Sequence, residues 1–286
     1  MTVSTRPARI RRCYAIVRDA LLAERNEHGW WTGELSTSPL STATAVMALE
    51  MVRRDRLRIA DCGLRSTDDA TQHSALSTTH SAPSSTPHSE LRIPHLTLLI
   101  DRGLSWLAEH QNADGGWGDT TKSLSNISTT MLAHAVFHAA GPACRFAETI
   151  HRAKNDIDRA GGVEAVVARY GKDRTFSVPI LTHCALAGLV DWNDVPALPF
   201  ELACLPPRFY SAVRLPVVSY ALPALIAIGQ VRHFHRKPRN PATRLVRRLA
   251  IHRSLRMLER IQPASGGFLE ATPLTSFVTM SLAGMG

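Results

Sequence analysis

One short pattern constrains this chain more than any other feature. Leu107, Gln111, Gly115, Gly116 and Trp117 follow the spacing Leu-x3-Gln-x3-Gly-Gly-aromatic, and Leu258, Gln262, Gly266, Gly267 and Phe268 repeat it. A worn copy runs through Leu22, Asn26, Gly29 and Trp30. After each aromatic residue comes a stretch marked by Ser, Thr or Pro: Ser38 to Ser41, Lys122 to Ser125, and Thr272 to Thr275. Apolar segments follow from Ala45, Met131 and Val278. Ser, Thr and Pro suit the first turn of a helix, where backbone N–H groups lack partners. A Gly pair supplies the positive φ that ends the helix before it. Each unit therefore reads as helix, Gly-rich turn, helix.

The repeat has a local physical sense. Gln at the end of one helix can bond the backbone at the start of the next, and the aromatic ring can stack on that Gln to close the turn. One unit buries only one face, so units must pack side by side. The expected fold is all-α: a ring of paired helices, an α/α toroid, incomplete in this chain. Three regions are expected: a helical repeat region over 1–64, an insertion over 65–90, and the main repeat region over 91–286. The insertion is nearly half Ser and Thr, with His73, His80, His88, Pro83 and Pro87 and no apolar periodicity, so it is expected to be disordered. A basic, Pro-containing loop is expected at Arg236 to Pro241.

Composition bounds the function classes. The chain has 286 residues, a 44% hydrophobic fraction and a net charge of +9, which favours an anionic partner without choosing one. Five cysteines, Cys13, Cys62, Cys144, Cys184 and Cys204, form no C-x-x-C pair, which removes zinc-ribbon and thioredoxin readings and fits reduced, buried thiols of a cytosolic protein. The apolar stretch after the basic N-terminus is cut by Arg18 and Asp19, so it is not a signal peptide. No run of about 18 apolar residues is present, so no spanning helix is expected.

With Arg102, Gly103 and Trp106 added to the segment ending at Trp117, the pattern resembles the QW repeat of triterpene cyclases at every defined position. A second resemblance is to squalene–hopene cyclases. Gly161, Gly162, Val163 and Glu164 match a Gly-Gly-Ile/Val-Glu turn; Trp192, Val195, Pro196, Pro199 and Glu201 match a Trp-x2-Val-Pro-x2-Pro-x-Glu stretch. Ser219, Tyr220 and Ala221 stand where that family has Ser-Trp-Ala. The protein prenyltransferase β-subunit uses a related barrel but needs an Asp, Cys and His set around zinc, and no such arrangement is found.

The resemblance implies an isomerase of triterpenoid, specifically hopanoid, biosynthesis. In that family two barrels enclose a greasy cavity, an Asp-x-Asp-Asp motif protonates a terminal double bond of squalene, and aromatic faces stabilise the carbocations that follow. No metal or organic cofactor is implied. The sequence departs from the pattern because it contains no Asp-x-Asp-Asp; the nearest string, Thr67, Asp68, Asp69 and Ala70, falls in the insertion. Family enzymes are roughly twice as long, with their acid in the part that would follow Gly286. The chain is thus expected to be the N-terminal half of such an enzyme and inactive alone. It would be a product of a truncated or split gene, a half completed by another polypeptide or a homo-oligomer, or a non-catalytic α-toroid that binds lipid or a partner.

Among site residues, Tyr220 is the expected cavity aromatic, with an ordinary buried Tyr as the alternative. Gln111, Gly115, Gly116, Trp117, Gln262, Gly266, Gly267 and Phe268 are expected to be structural. Implied partners are squalene or a similar polyprenyl lipid and a membrane surface, with no nucleic acid. The run from Leu215 to Val231, followed by Arg232, His233, His235, Arg236, Lys237 and Arg239, is read either as an apolar surface on an anionic leaflet or as a buried helix with a solvated basic loop. The expected location is cytoplasmic, peripherally attached to membrane. His134 and His138 lie one helical turn apart as a potential metal pair, but a satisfied or surface pair is favoured. Gly116 to Ser123 is rejected as a phosphate loop, since the Gly before Lys122 is missing and no strand precedes it. Asp119 is expected to cap the helix that follows it.

Overall fold

The structure is a computed structural model that describes residues 6–25, 27, 29, 37–68, 92–142, 144–171, 174–205, 221–269 and 271–286. The chain divides into two compact units, Met1–Thr37 and Ser38–Gly286. The first holds one helix, α1 (Arg6–Ala23). The second holds α2 (Pro39–Asp68), α3 (Ile93–Glu109), α4 (Ile127–Ala140), α5 (Ala147–Ala160), α6 (Gly162–Tyr170) and α7 (Arg174–Leu186). A short 3-10 helix, Phe200–Cys204, follows, and then α8 (Leu222–His235), α9 (Pro241–Ile261) and α10 (Thr272–Ala283). No strand occurs among the described residues.

The helix boundaries follow from their sequences. α4 starts where the Asn126 side chain accepts from the Thr129 N–H at 3.0 Å, and α9 where the Asn240 side chain accepts from the Ala242 N–H at 2.9 Å, with Pro241 in the first position. Gly161, at φ +97°, ends α5 and lets the chain turn straight into α6.

The helices of the second unit form two layers. Every residue of α4 from Ile127 to Phe137 is buried except His134, and α8 is buried from Ile226 to Val231. Helices apolar on all sides belong in an interior. α2 packs on α4, α4 on α7, α7 on α8, α8 on α10, and α10 returns to α2. Among the described residues, five inner helices therefore close a ring of contacts. Outside it, α3 lies against α2 and α4, α5 against α4, α6 against α7, and α9 with the 3-10 helix against α8. The main core runs through Met47, Leu104, Leu107, Trp117, Phe137 and Leu181; a second cluster of Ile226, Leu258, Phe268 and Val278 joins α8, α9 and α10.

Three sequence expectations change. The first helical region does not stop at 64: α2 begins the second unit and continues to Asp68, inside the stretch assigned to the insertion, while residues 69–91 lie outside the described residues. The described part of the 215–231 run is the inner helix α8, buried at Pro223, Ala224 and Ile226 through Val231. It is core, so the buried-helix reading holds for that part. Finally, Asp119 is not the cap of α4. That role falls to Asn126, and Asp119 braces it: its carboxylate accepts from Asn126 Nδ2 at 2.9 Å and from Thr129 Oγ1 at 2.6 Å.

Candidate functional site

The two complete repeats build the same turn. Gln111 Nε2 donates to the Gly115 carbonyl at 2.8 Å, and Gln262 Nε2 to the Gly266 carbonyl at 2.8 Å. Gly115 and Gly266 take φ of +95° and +82°, a region costly for any residue with a Cβ. The N–H of Trp117 donates to Thr130 Oγ1 at 3.1 Å, and that of Phe268 to Thr275 Oγ1 at 2.9 Å. Thr130 and Thr275 are each the fourth residue of their inner helix. The partner of Thr275 is therefore Thr130, not Ser125, because the chain makes a longer excursion between Trp117 and α4. The expected Gln geometry also changes in detail. Gln111 does not reach α4; its second bond goes to the Thr149 carbonyl in the first turn of α5, 3.0 Å away. Trp117 is wholly buried, donating through Nε1 to the Leu107 carbonyl at 2.9 Å and stacking on Phe137 with ring centres 6.0 Å apart.

These turns fix the inner helices so that their amino-terminal ends meet at one end of the ring. A cavity of about 400 Å³ opens there. Leu40 of α2, Leu132 of α4, Ile180 of α7, Ala224 of α8 and Leu274 of α10 each contribute apolar wall. Three rings line it, those of Tyr170, Phe176 and Phe277, with Tyr170 and Phe176 stacked at 5.7 Å. Tyr170 is held by a 2.9 Å hydrogen bond between its hydroxyl and Ser128 Oγ. Pro179, inside α7, also faces the cavity.

Electrostatically the cavity is unusual for a greasy site. Helix amino termini carry partial positive charge, and five of them converge here. Asp119, the one acidic residue on the wall among the described residues, partly offsets that field. The aromatic rings present the negative faces of their quadrupoles. The site can hold an extended apolar molecule, and its rings can stabilise positive charge in it.

The sequence-derived candidates sit at different distances from this cavity. Tyr220 lies outside the described residues; its neighbour Ala221 lines the wall. The Gln and Gly residues of the repeats do not line the cavity; they set the helix ends that do. His134 and His138 have no third metal-type ligand among the described residues, and His138 Nδ1 is engaged with the Ala187 carbonyl at 3.1 Å. Burial, with His138 nearby, holds His134 below the ordinary imidazole pKa. Sequence reasoning missed Tyr170, Phe176 and Phe277, which come from three separate elements and share no motif. Their one available signal was position: each lies at or next to the first turns of α7 or α10.

The deciding observation is a family match. The model of the squalene-hopene cyclase N-terminal domain matches residues 97–251, more than half of the chain. This chain belongs to the squalene–hopene cyclase family. Two fungal relatives agree. An enfumafungin synthase from Hormonema carpetanum is 34% identical over 128 residues, covering 45% of this chain and 9% of that protein. A squalene hopane cyclase from Aspergillus fumigatus is 33% identical over 104 residues, covering 36% of this chain and 13% of that one. The matched stretches thus span a small part of either relative's length. No solved structure matches the chain significantly. No helix among the described residues is long and apolar enough to cross a membrane.

Proposed function

We propose that this chain supplies the polyprene-holding half of a squalene–hopene cyclase-type triterpene cyclase, with the catalytic acid coming from elsewhere. The observation that carries this reading is the cavity of about 400 Å³ at the end of the ring, apolar and walled by Tyr170, Phe176 and Phe277. A hydrocarbon chain gains roughly 0.8 kcal/mol per CH₂ on leaving water for such a wall. Cyclisation of squalene begins with a proton delivered to a double bond, and that needs a carboxylic acid kept protonated by burial and neighbouring carboxylates. Asp119 does not fit this role: its carboxylate is engaged in accepting from Asn126 Nδ2 and Thr129 Oγ1, and no second carboxylate stands beside it on the described wall. With no Asp-x-Asp-Asp in the sequence, the acid is assigned to a further segment or a second polypeptide. Tyr220 is proposed as a further cavity aromatic on its match to the Trp of the family's Ser-Trp-Ala.

Peripheral attachment to an anionic membrane is supported by the outer face of α9. Leu245, Val246 and Leu249 are 53–68% exposed there, beside the exposed Arg244 and Arg248. Apolar anchors among arginines match the chemistry of an anionic leaflet.

The test is squalene turnover in detergent, read by mass spectrometry of extracted lipids, with the chain alone and with a separately produced Asp-x-Asp-Asp segment. Product only from the mixture supports the proposal. Product from the chain alone places the acid within it and sinks the half-enzyme reading. Squalene binding without product in either case supports the non-catalytic lipid-binding toroid.

A further inference from the structure

A second concavity lies away from the apolar mouth, where the end of α8 meets the start of α9. It encloses about 480 Å³ and is lined by Arg232, Arg236, Lys237, Arg239 and Arg247, together with Asn193 and Thr243. Five cations share this wall, and no carboxylate does. Two acids act on the cluster from outside the wall: Asp191 is felt by Arg232, and Glu201 is taken up by Arg247, whose Nε lies 3.1 Å and 3.2 Å from its two oxygens. Among the described residues, Arg236, Lys237 and Arg239 make no ion pair, and they are exposed at the rim.

This is more than a solvated basic loop, because part of it is built. Arg232 is half-buried and fixed, donating from Nε to the Val195 carbonyl at 2.8 Å and from Nη1 to the Arg236 carbonyl at 2.6 Å. The second bond ties the loop backbone to the guanidinium. Arg247 is buried at 7% exposure, with its guanidinium 5.7 Å from the centre of the Phe200 ring. Thr243 places the first turn of α9, a 21-residue helix, on the same wall, so its positive end adds to the field. The cations feel one another: burial first, then Arg236 and Arg247, push Arg232 below its ordinary value, and burial first, then Arg247 and Lys237, lower His233. Holding five like charges around one concavity costs free energy that a bound anion would recover.

We propose that this concavity is a binding site for a phosphate group, a phosphomonoester or diphosphate. Guanidinium forks match phosphate oxygens two at a time, and the dipole of α9 adds its positive end to the attraction. The phosphate can belong to a soluble molecule or to a lipid headgroup; the chemistry of recognition is the same. The site is independent of the apolar cavity, so it stands whether or not this chain takes part in cyclisation.

The experiment has two arms. In the first, the full chain is titrated calorimetrically with inorganic pyrophosphate. One saturable site is expected, weakened at least tenfold by the triple change R236Q/K237Q/R239Q, whose residues hold no structural ion pair. The control R253Q/R256Q/R260Q removes equal charge from exposed positions of α9 outside the pocket and is expected to leave the titration unchanged. In the second arm, vesicles of phosphatidylcholine with and without phosphatidic acid are floated with the chain, and free pyrophosphate is added as competitor. Phosphatidic acid-dependent flotation that pyrophosphate releases identifies the headgroup as the source; saturable pyrophosphate binding without such flotation identifies a soluble phosphate. Absence of saturable pyrophosphate binding, or equal weakening by both triple variants, overturns the proposal.

Discussion

Gln111, just past the end of α3, donates its side-chain amide to the carbonyl of Thr149 in the first turn of α5, 3.0 Å away. Since the same amide also holds Gly115, one side chain closes its own turn and ties two outer helices together. Gln262 makes the first bond but is exposed, with the Gly266 carbonyl the one partner of its side chain among the described residues. Gln111→Ala is therefore expected to destabilise the fold by about 2 kcal/mol, and Gln262→Ala by about 1 kcal/mol or less. Chemical denaturation of the two variants checks the order.

The Gly pairs look identical in sequence but differ in their surroundings. A Cβ at Gly116 would lie 2.5 Å from Asp156 Oδ2 and 2.7 Å from both Ser125 Cβ and Thr130 Oγ1. A Cβ at Gly267 meets only Thr275 Oγ1, at an ordinary 3.6 Å. Gly116→Ala should cost about 1–3 kcal/mol through forced displacement, while Gly267→Ala should be near neutral. Thermal unfolding of both separates them.

His183 gives the fold a pH dependence. It is wholly buried in α7, and its Nε2 meets the Leu132 carbonyl at 3.0 Å, so that nitrogen carries the proton of a neutral ring; Nδ1 has no partner. Burial pushes its pKa down to about 4 from the usual 6.5, against a small opposing effect of the carbonyl. Its contribution to stability is fully present above the unfolded pKa of 6.5 and is lost as pH falls toward 4, because the unfolded chain takes up the proton first. The loss is on the order of 3 kcal/mol across that window. Denaturation midpoints measured between these pH values should fall on acidification, and His183→Gln should flatten the slope.

Thiol reactivity should sort by burial. Cys184 is fully enclosed and its thiol is pushed up to about 12 by that burial, whereas Cys13 and Cys144 are exposed. A thiol reagent applied to the native chain, with sites mapped by mass spectrometry, should modify Cys13 and Cys144 within minutes and Cys184 only on unfolding.

Leu274→Trp tests the apolar cavity. Leu274 lines it from the first turn of α10, where a larger ring would fill the space. Binding of a squalene analogue should fall at least tenfold with the fold retained by circular dichroism. Unchanged affinity would place the lipid elsewhere.

The repeats made the fold readable because each turn closes locally. Gln111 bonds the Gly115 carbonyl four residues on, a contact that spacing alone encodes, whereas its bond to Thr149 and that of Trp117 to Thr130 reach further along the chain. Thr130 escaped because six more residues separate it from Trp117 than separate Thr275 from Phe268, and that excursion has no sequence signature. The run ending at Val231 could not be assigned from hydropathy, since an inner helix of a toroid and a membrane-facing helix are equally greasy. The cavity was least legible. Tyr170, Phe176 and Phe277 meet only because α6, α7 and α10 are brought together by the ring, and long-range closure leaves no local trace.

That closure has a kinetic consequence. The ring joins through α2 and α10, whose first residues, Pro39 and Thr272, are far apart along the chain. Contacts of such sequence separation form late, after the loop entropy between them has been met. During synthesis, the face of α2 that packs on α10 must therefore wait uncovered until α10 has left the ribosome. Any ribosome pause between those helices extends the time that this surface is open to chaperones or to a second nascent chain.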